Sequence, residues 1–305
     1  MKDAITITIL FEADALNRDD KIGNILSIKK LVRGWGETYS YISRPAIRHY
    51  LWVTLHRIDP ERWKEAPVKR VEGNVIQFDV ENEEAIKKYA ELDIFGYMAT
   101  VEGGAITRKS RIGITKAISL EPWSGDIGFY ANHDLVRRFL RENPQEPLQP
   151  NPYNCEEHKT LYKLSFTLDC KKIGEDQKGN LLISNEEKQV RITDVVNAIY
   201  NGLYYHTSGE CPGIIPLFII AGITKLPIPI FHPFVDIQFY KENHRPRFKI
   251  REPLLKNAIL NQWIINTDKK LVFIEAREPE ALSSDFITTH SYTNEWSEFV
   301  DELFK

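Results

Sequence analysis

Near its N-terminus the chain reads AITITILF at residues 4–11, where β-branched and apolar residues alternate. Successive side chains of a strand point to opposite faces of a sheet, so the alternation predicts a β-strand, and its apolar character indicates a central one. A polar loop follows, with LNRDD at residues 16–20, and leads into a short basic helix that begins SRPAIR at residues 43–48. The first fifty residues therefore predict a strand, a loop and a basic helix in close succession.

The start of the basic helix has the composition of an anion-binding site. Ser43 can act near the N-cap, and Pro45 is tolerated in a first helical turn, where no intrahelical donor is lost. Arg44 and Arg48 are four residues apart and share one face, with His49 beside them. Free backbone donors and the positive end of the helix dipole attract phosphate, and guanidinium groups add charge and fork-shaped donors.

The preceding loop supplies two more polar groups for the same surface. Asn17 and Arg18 are close enough in the chain to reach the groove beside the helix. The simpler interpretation is a capped surface helix with solvated arginines. The residues alone leave both interpretations open.

The rest of the chain alternates between helix and strand patterns. These patterns are, in chain order, two short strands around residues 73–74, a helix over 83–92, a strand over 161–172, a helix over 192–205, strands over 234–239 and 271–275, and helices near 254–263 and after 293. Residues 143–154 hold four prolines and predict a linker. Strand–helix–strand, an insertion and again strand–helix–strand predict an α+β fold with a ferredoxin-like, or RRM-like, core.

Composition narrows the class of protein. The 305 residues are 42% hydrophobic and 27% charged, and the formal net charge is −3, which argues against a surface that attracts nucleic acid everywhere but allows a local basic groove. No apolar run reaches the roughly 20 residues that span a bilayer, and the N-terminus lacks the plan of a signal peptide. We therefore expect a cytoplasmic protein without a membrane partner.

Enzyme and metal motifs are not found in the sequence. It contains no P-loop, G-x-S-x-G or H-E-x-x-H motif, and its three cysteines form no C-x-x-C pair, so no catalytic residue, metal site or cofactor is expected. The acidic pair Asp19 and Asp20 leaves one alternative open, since two carboxylates can bind a metal ion or take part in RNA cleavage.

Four landmarks in order resemble one known family. They are the loop at 16–20 with the helix at 43–48, FGYM at 95–98, RIGITKAIS at 111–119, and YKLSFTLD at 162–169. This series is similar to the backbone subunit of type I CRISPR Cascade complexes, the Cas-seven class of the RAMP superfamily, and most similar to its DevR-like type I-B branch.

The resemblance implies a division of the chain. The ferredoxin-like core would form a single discontinuous palm from about residues 1–59 and 156–305, and residues 60–155 would form an inserted finger-like lobe. The apolar run at 214–231 is either core or a subunit interface. In the family the corresponding region is a thumb that reaches over the adjacent copy, so 206–233 is a candidate thumb.

The resemblance also implies that the basic helix lines a guide-RNA groove. From the residues alone, the run RKSR at 108–111 is either a mobile phosphate-contacting loop or a solvated charge run. The region of His158, Thr160 and Tyr162, at the central strand, either wedges a side chain against a base or is structural, with Tyr162 in the core and His158 on the surface. The RNA-binding candidates are Asn17, Arg18, Ser43, Arg44, Arg48, His49, Arg108, Lys109, Arg111, His158 and Thr160.

The function implied is a non-catalytic subunit that polymerises along crRNA for antiviral defence. Its partners would be crRNA, target DNA through pairing with the guide, other copies of itself and other Cascade subunits. Two alternatives stay open at this point. One is a RAMP endoribonuclease, and the other is a DNA-binding regulator, as the DevR name suggests.

Overall fold

The computed structural model describes residues 2–14, 17–34, 36–101, 104–205, 213–239, 246–250, 272–276 and 295–305. The strands are β1 Ala4–Ala13, β2 Arg18–Ile22, β3 Ile25–Ile28, β4 Lys30–Arg33, β5 Glu37–Ile42, β6 Val68–Arg70, β7 Ile76–Phe78, β8 Tyr97–Val101, β9 Gly104–Arg108, β10 Ile112–Ile114, β11 Ala117–Ser119, β12 Ile127–Ala131, β13 Pro152–Glu156, β14 Thr160–Leu168, β15 Pro216–Thr224, β16 Val235–Phe239, β17 Pro246–Ile250 and β18 Val272–Ala276. The helices are α1 Arg44–Ile58, α2 Ala85–Lys88, α3 Ala90–Phe95, α4 His133–Glu142, α5 Asn185–Asn201 and α6 Trp296–Glu302.

The main sheet is built around the N-terminal strand. Its order is β18-β15-β1-β14-β11-β5-β4, and β10 pairs with β14 beside β11. β1 is antiparallel to both neighbours, with Ile9 opposite Leu164 of β14 and opposite Ile219 of β15. The expectation of a central strand at residues 4–11 is confirmed.

The two faces of the main sheet differ in polarity. Odd-numbered residues of β1 from Ile5 to Phe11 are apolar and pack in the large core with the buried stripe of α1. The opposite face carries Thr8, whose hydroxyl lies 2.7 Å from the Ser165 hydroxyl, and Ser165 in turn lies 2.8 Å from Nδ1 of His232. The chain after β15 therefore crosses the polar face of the sheet.

A second, smaller core lies in the middle of the chain. It is formed by residues of the β7 region, α2, α3 and β8, namely Ala66, Val80, Ile86, Leu92, Tyr97 and Ala99. Gly96 lies beside this core at a crossing of two chain segments. Its φ is +68°, and a side chain there would collide with the backbone of residues 108–110. The crossing thus requires glycine.

Several elements differ from the sequence expectations. Residues 18–33 contain the three strands β2, β3 and β4, although a loop was expected there. β10 and β11 pair within the main sheet, although they fall in the range 60–155 that was expected to form an inserted lobe. Residues 216–224 form the buried strand β15 of the main sheet, which supports the core interpretation for this part of the apolar run. The helix expected near 254–263 lies outside the described residues.

The α+β class is confirmed. Within the described part of the chain, no helix combines the length and apolarity needed to cross a bilayer. Cys155 and Cys170 are free and buried, and burial raises the pKa of the Cys170 thiol to about 12. Cys211 lies outside the described residues.

Candidate nucleic-acid interface

The start of α1 is joined directly to the polar loop. β5 ends at Ile42, and Ser43 then caps α1, its hydroxyl accepting from the Ala46 amide at 3.4 Å. The Ser43 amide donates to Oδ1 of Asn17 at 2.9 Å, and the Asn17 carbonyl accepts from the Lys29 amide at 3.0 Å. The structure thus brings together Asn17 and the helix start, which the sequence placed at one groove.

Arg44 and Arg48 line a depression of about 460 Å³ at this helix start. Arg44 is exposed, whereas Arg48 is half-buried with its guanidinium 5.0 Å from the centre of the Phe95 ring. Burial lowers the pKa of Arg48, and the Glu91 carboxylate opposes that shift. The far wall of the depression includes Ser110, so the basic helix and the edge of the 108–111 run meet at one place.

The charge at the start of α1 is unusual for a helix. Its first turn, residues 44–47, reads RPAI and has no acidic side chain. α4 and α5 instead begin with Asp134 and with Glu186 and Glu187. Negative charge is favourable at a helix N-terminus and positive charge is not, so the arginines raise the free energy of the helix unless an anion is bound.

Lys116 extends the basic surface, and sequence reasoning missed it. Ala117 pairs with Ile42 across β11 and β5, which places Lys116 beside the cap of α1. The Lys116 ammonium lies 4.6 Å from the centre of the Tyr41 ring, and Tyr41 adjoins Lys29 through a backbone hydrogen bond. A lysine in front of a short strand does not by itself predict a binding site. Only the pairing of β11 with β5 shows that Lys116 lies beside the start of α1.

The basic run at 108–111 is only partly exposed to solvent. Arg108 is buried and forms an ion pair with Asp93, and it also donates to the Glu175 carbonyl at 2.7 Å. Arg111 is half-buried; burial and the neighbouring Arg108 lower its pKa. Among these residues the exposed side chains are those of Lys109 and Ser110, so this is not a fully solvated cationic loop.

Two further candidates lie in the interior, which also differs from the prediction of RNA contact. Nδ1 of His158 is 2.7 Å from the Ser40 hydroxyl, and burial lowers the pKa of His158. The Thr160 hydroxyl donates to Glu121 at 2.7 Å. Both are over 90% buried, so His158 is not the surface residue of the alternative interpretation, whereas Tyr162 does lie in the core.

The remaining candidates flank the helix start. Arg18 donates to the Glu156 carbonyl at 2.6 Å and so lies against β13. His49 is exposed, with its ring 6.1 Å from that of Trp52 and nearly parallel to it. Neither residue lines the depression beside Arg44.

The acidic pair of the loop is exposed. Asp19 forms an ion pair with Lys29 at 2.7 Å, and this hydrogen bond lowers the pKa of Asp19. Within the described ranges, no group of three or more His, Cys, Asp or Glu side chains is placed to hold a metal ion.

Comparison with known proteins identifies relatives of the chain. A profile of the family described as CRISPR-associated negative auto-regulator DevR/Csa2 matches residues 5–245. A Myxococcus xanthus (strain DK1622) protein described as CRISPR-associated protein Cas7/Cst2/DevR is 28% identical over 173 residues, covering 50% of this chain and 53% of that protein. The chain therefore spans about half the length of this curated relative.

Two solved structures share the fold. A chain of a "CRISPR RNA-guided surveillance complex, pre-nicking" aligns with a TM-score of 0.60 at 10% identity, covering 98% of both chains. A chain of a "CRISPR RNA-guided surveillance complex" aligns with a TM-score of 0.56 at 12% identity, again over 98% of both. The family profile covers most of the sequence and includes all four landmarks, and the chain accordingly belongs to the DevR/Csa2 family.

Proposed function

We propose that this chain is a non-catalytic backbone subunit of a type I CRISPR surveillance complex and holds guide RNA through its phosphates at the start of α1. One observation carries the proposal: Asn17 is bonded to the Ser43 cap, and Arg44, Arg48 and Lys116 surround that same helix start. The positive end of the helix dipole would attract a phosphate, and the three cations would neutralise the charge of that phosphate and of its neighbours.

The topology supports a ferredoxin-like palm within this proposal. The central strands run in the order β15, β1, β14 and then β10 with β11, and all neighbours are antiparallel. α1 follows β1 in the chain, and α5 lies between β14 and β15. This order of strands and helices supports a split β-α-β core as part of the proposal. The smaller core around β8 would belong to the finger-like lobe.

The partners follow from the same proposal. Phosphate contacts position a strand without reading its sequence, as a subunit that accepts any guide requires. The guide would read target DNA by base pairing, while the protein contacts other copies of itself and other subunits of the complex. The names of the relatives, a CRISPR-associated protein and CRISPR RNA-guided complexes, support this assignment.

The test is the affinity for single-stranded RNA of Arg44→Ala/Arg48→Ala. Removing two phosphate contacts should weaken binding by roughly tenfold or more at moderate salt and lower the slope of log K against log salt by about 0.7 per contact. Lys178→Ala/Lys305→Ala removes the same charge from exposed positions elsewhere and should bind nearly as tightly as the wild type. Equal binding by the arginine variant and the wild type would overturn the assignment of the groove.

Cleavage and binding assays on the same proteins distinguish two other functions. Specific cleavage products from labelled RNA that depend on Mg²⁺ would favour an endoribonuclease that uses Asp19 and Asp20. The description of the matched family as a negative auto-regulator favours a DNA-binding regulator as the second candidate. Preference for one duplex DNA sequence over single-stranded RNA would select the regulator and reject the backbone subunit.

A further inference from the structure

Two tyrosine rings lie side by side on the small sheet β12-β13-β3-β2. Tyr130 of β12 and Tyr153 of β13 are directly opposite each other, and the two residues are 42% and 43% exposed. Opposite residues of neighbouring strands share a face of the sheet. The ring centroids are 5.4 Å apart and the ring planes differ by 16°, so the rings stack. We name these two residues the tyrosine pair.

The Tyr130 ring is held in a fixed orientation. Its hydroxyl donates to Oε1 of Glu157, and the ring lies over Gly128, where a Cβ atom would be 2.8 Å from the ring carbon Cε2. The hydrogen bond raises the pKa of Tyr130 to about 12, and the nearby charge of Arg18 opposes this shift. A side chain that is already oriented loses little conformational entropy when a ligand binds to it.

The tyrosine pair is connected to the start of α1 through the beginning of β2. Asn17 accepts from the Ser43 amide at the helix start. Arg18, the next residue, donates to the Glu156 carbonyl at 2.6 Å, at the end of β13, and its charge acts on Tyr130. Arg18 therefore links the proposed phosphate site to the tyrosine pair.

The chemistry of the rings indicates which ligand fits this surface. The charges beside the pair balance, because Glu157 offsets Arg18, so they favour no charged group. A four-stranded sheet with aromatic side chains on one face is the surface on which RRM domains stack unpaired bases. Such stacking tolerates any sequence, because every base has a π-face.

We propose that the tyrosine pair stacks on a base of a single strand, either of guide RNA or of target DNA. The inference rests on the proposed function, to which it adds a contact that does not depend on phosphate. Stacking on any base is compatible with a subunit that accepts any guide.

The first test is photo-cross-linking of the full wild-type chain to single strands that carry iodouracil at one position at a time. Iodouracil cross-links to an aromatic side chain that stacks on it, and mass spectrometry of the digested product identifies the residue. One set of strands is RNA, and the other is DNA of the same sequence. A cross-link to Tyr130 or Tyr153 is expected, and the set that gives it identifies the source of the base.

The second test is the affinity for the same strands. Tyr130→Ala/Tyr153→Ala should weaken binding at least about fivefold through the loss of one stacked base. The slope of log K against log salt should stay the same, because no phosphate contact is removed. Tyr130→Phe/Tyr153→Phe keeps both rings and should bind nearly as tightly as the wild type. Circular dichroism checks that both variants fold, and the cross-link on the wild type does not depend on them.

The outcomes separate this inference from the proposed function. The inference is overturned if the strands bind but neither tyrosine is cross-linked, or if the phenylalanine variant loses as much affinity as the alanine variant. It is also overturned if the alanine variant keeps its affinity, including the case in which it loses self-association in sedimentation, because the pair would then be a protein contact. If Arg44→Ala/Arg48→Ala binds as tightly as the wild type while the cross-link persists, the phosphate site is rejected and the tyrosine pair is kept. Absence of any binding to RNA and DNA rejects both.

Discussion

At Asp93 one buried carboxylate holds two guanidinium groups and a backbone amide. Arg108 pairs with one oxygen, Arg191 with the other at 2.9 Å, and the Gly174 amide donates at 3.0 Å. All three charged side chains are at least 94% buried. The group ties α3 and β9 to α5, and through Phe95, two residues along α3, it supports the wall on which Arg48 rests.

Asp93→Ala should lower the free energy of unfolding by about 3–5 kcal/mol, because two buried guanidinium groups lose their counter-charge. Urea denaturation followed by circular dichroism measures the change. Asp134→Ala is the matched control, since it breaks an exposed ion pair with Arg138 on α4 and should alter stability little. A similar small change for both variants would contradict the role of Asp93.

His232 makes stability depend on pH. Burial, followed by the charges of Lys163 and Arg33, lowers the pKa of His232 to about 4, well below the ordinary histidine value of about 6.5. The unfolded chain therefore takes up a proton near pH 6.5 that the folded protein resists until about pH 4. Stability that is complete above pH 6.5 should fall steadily as the pH is lowered through this window.

The measurement is the urea midpoint of the wild type and of His232→Asn between pH 7.5 and about 4. The variant should lose less stability on acidification, because it lacks the imidazole whose pKa differs between the folded and the unfolded chain. His133→Asn removes an exposed histidine and should follow the wild-type curve. Identical curves for all three proteins would assign the acid sensitivity to other groups.

At the scale of elements, the junction between Asn17 and α1 combines a helix cap with the proposed anion site. The bond from the Ser43 amide to Asn17 fixes where the loop meets the helix. Stability and RNA binding place different demands on the Asn17 side chain. Stability needs an oxygen that accepts a hydrogen bond, whereas RNA binding also needs the absence of negative charge.

Two substitutions separate these demands. Asn17→Ala should lower the free energy of unfolding by about 0.5–1.5 kcal/mol through the lost hydrogen bond. Asn17→Asp keeps the acceptor and adds a charge that suits the helix dipole, so it should be as stable as the wild type. The same charge should reduce RNA affinity about fivefold, the effect of a unit charge about 4 Å away in water. Fluorescence anisotropy with single-stranded RNA measures this, and unchanged affinity of the aspartate variant would argue against a phosphate at this junction.

Element type was predictable where the residue pattern was long and regular. The alternation in β1, the stripe of Ile47, Leu51 and Leu55 in α1, and the hairpin around Gly73 all follow from local sequence. α4 was missed because it follows directly on a strand and precedes a proline-rich stretch. β2 and β4 were missed because they are short and rich in charged residues, although each pairs with a neighbour in the chain. β3 was missed because it is only four residues long, and its second partner, β13, lies far along the chain.

For the whole molecule, the helix start and Asn17 beside it were predictable, whereas the burial of Arg108 and the position of Lys116 were not. Arg44 and Arg48 follow from the helix pattern and their own chemistry. The burial of Arg108 depends on Asp93 and Glu175, and the position of Lys116 depends on the pairing of β11 with β5. Burial and register are properties of the tertiary fold, so the same basic residues that look alike in the sequence have different roles in the structure.

The central place of β1 has a consequence for synthesis. Thr8 meets Ser165 across the sheet, 157 residues later in the chain, and the other neighbour, β15, comes later still. At roughly 5–20 residues per second, a ribosome needs about 8–30 s to complete the first partner. During that time one of the most β-prone segments of the protein emerges without a strand to pair with. We therefore expect the segment AITITILF to be open to pairing with other chains until residues 160–168 have emerged.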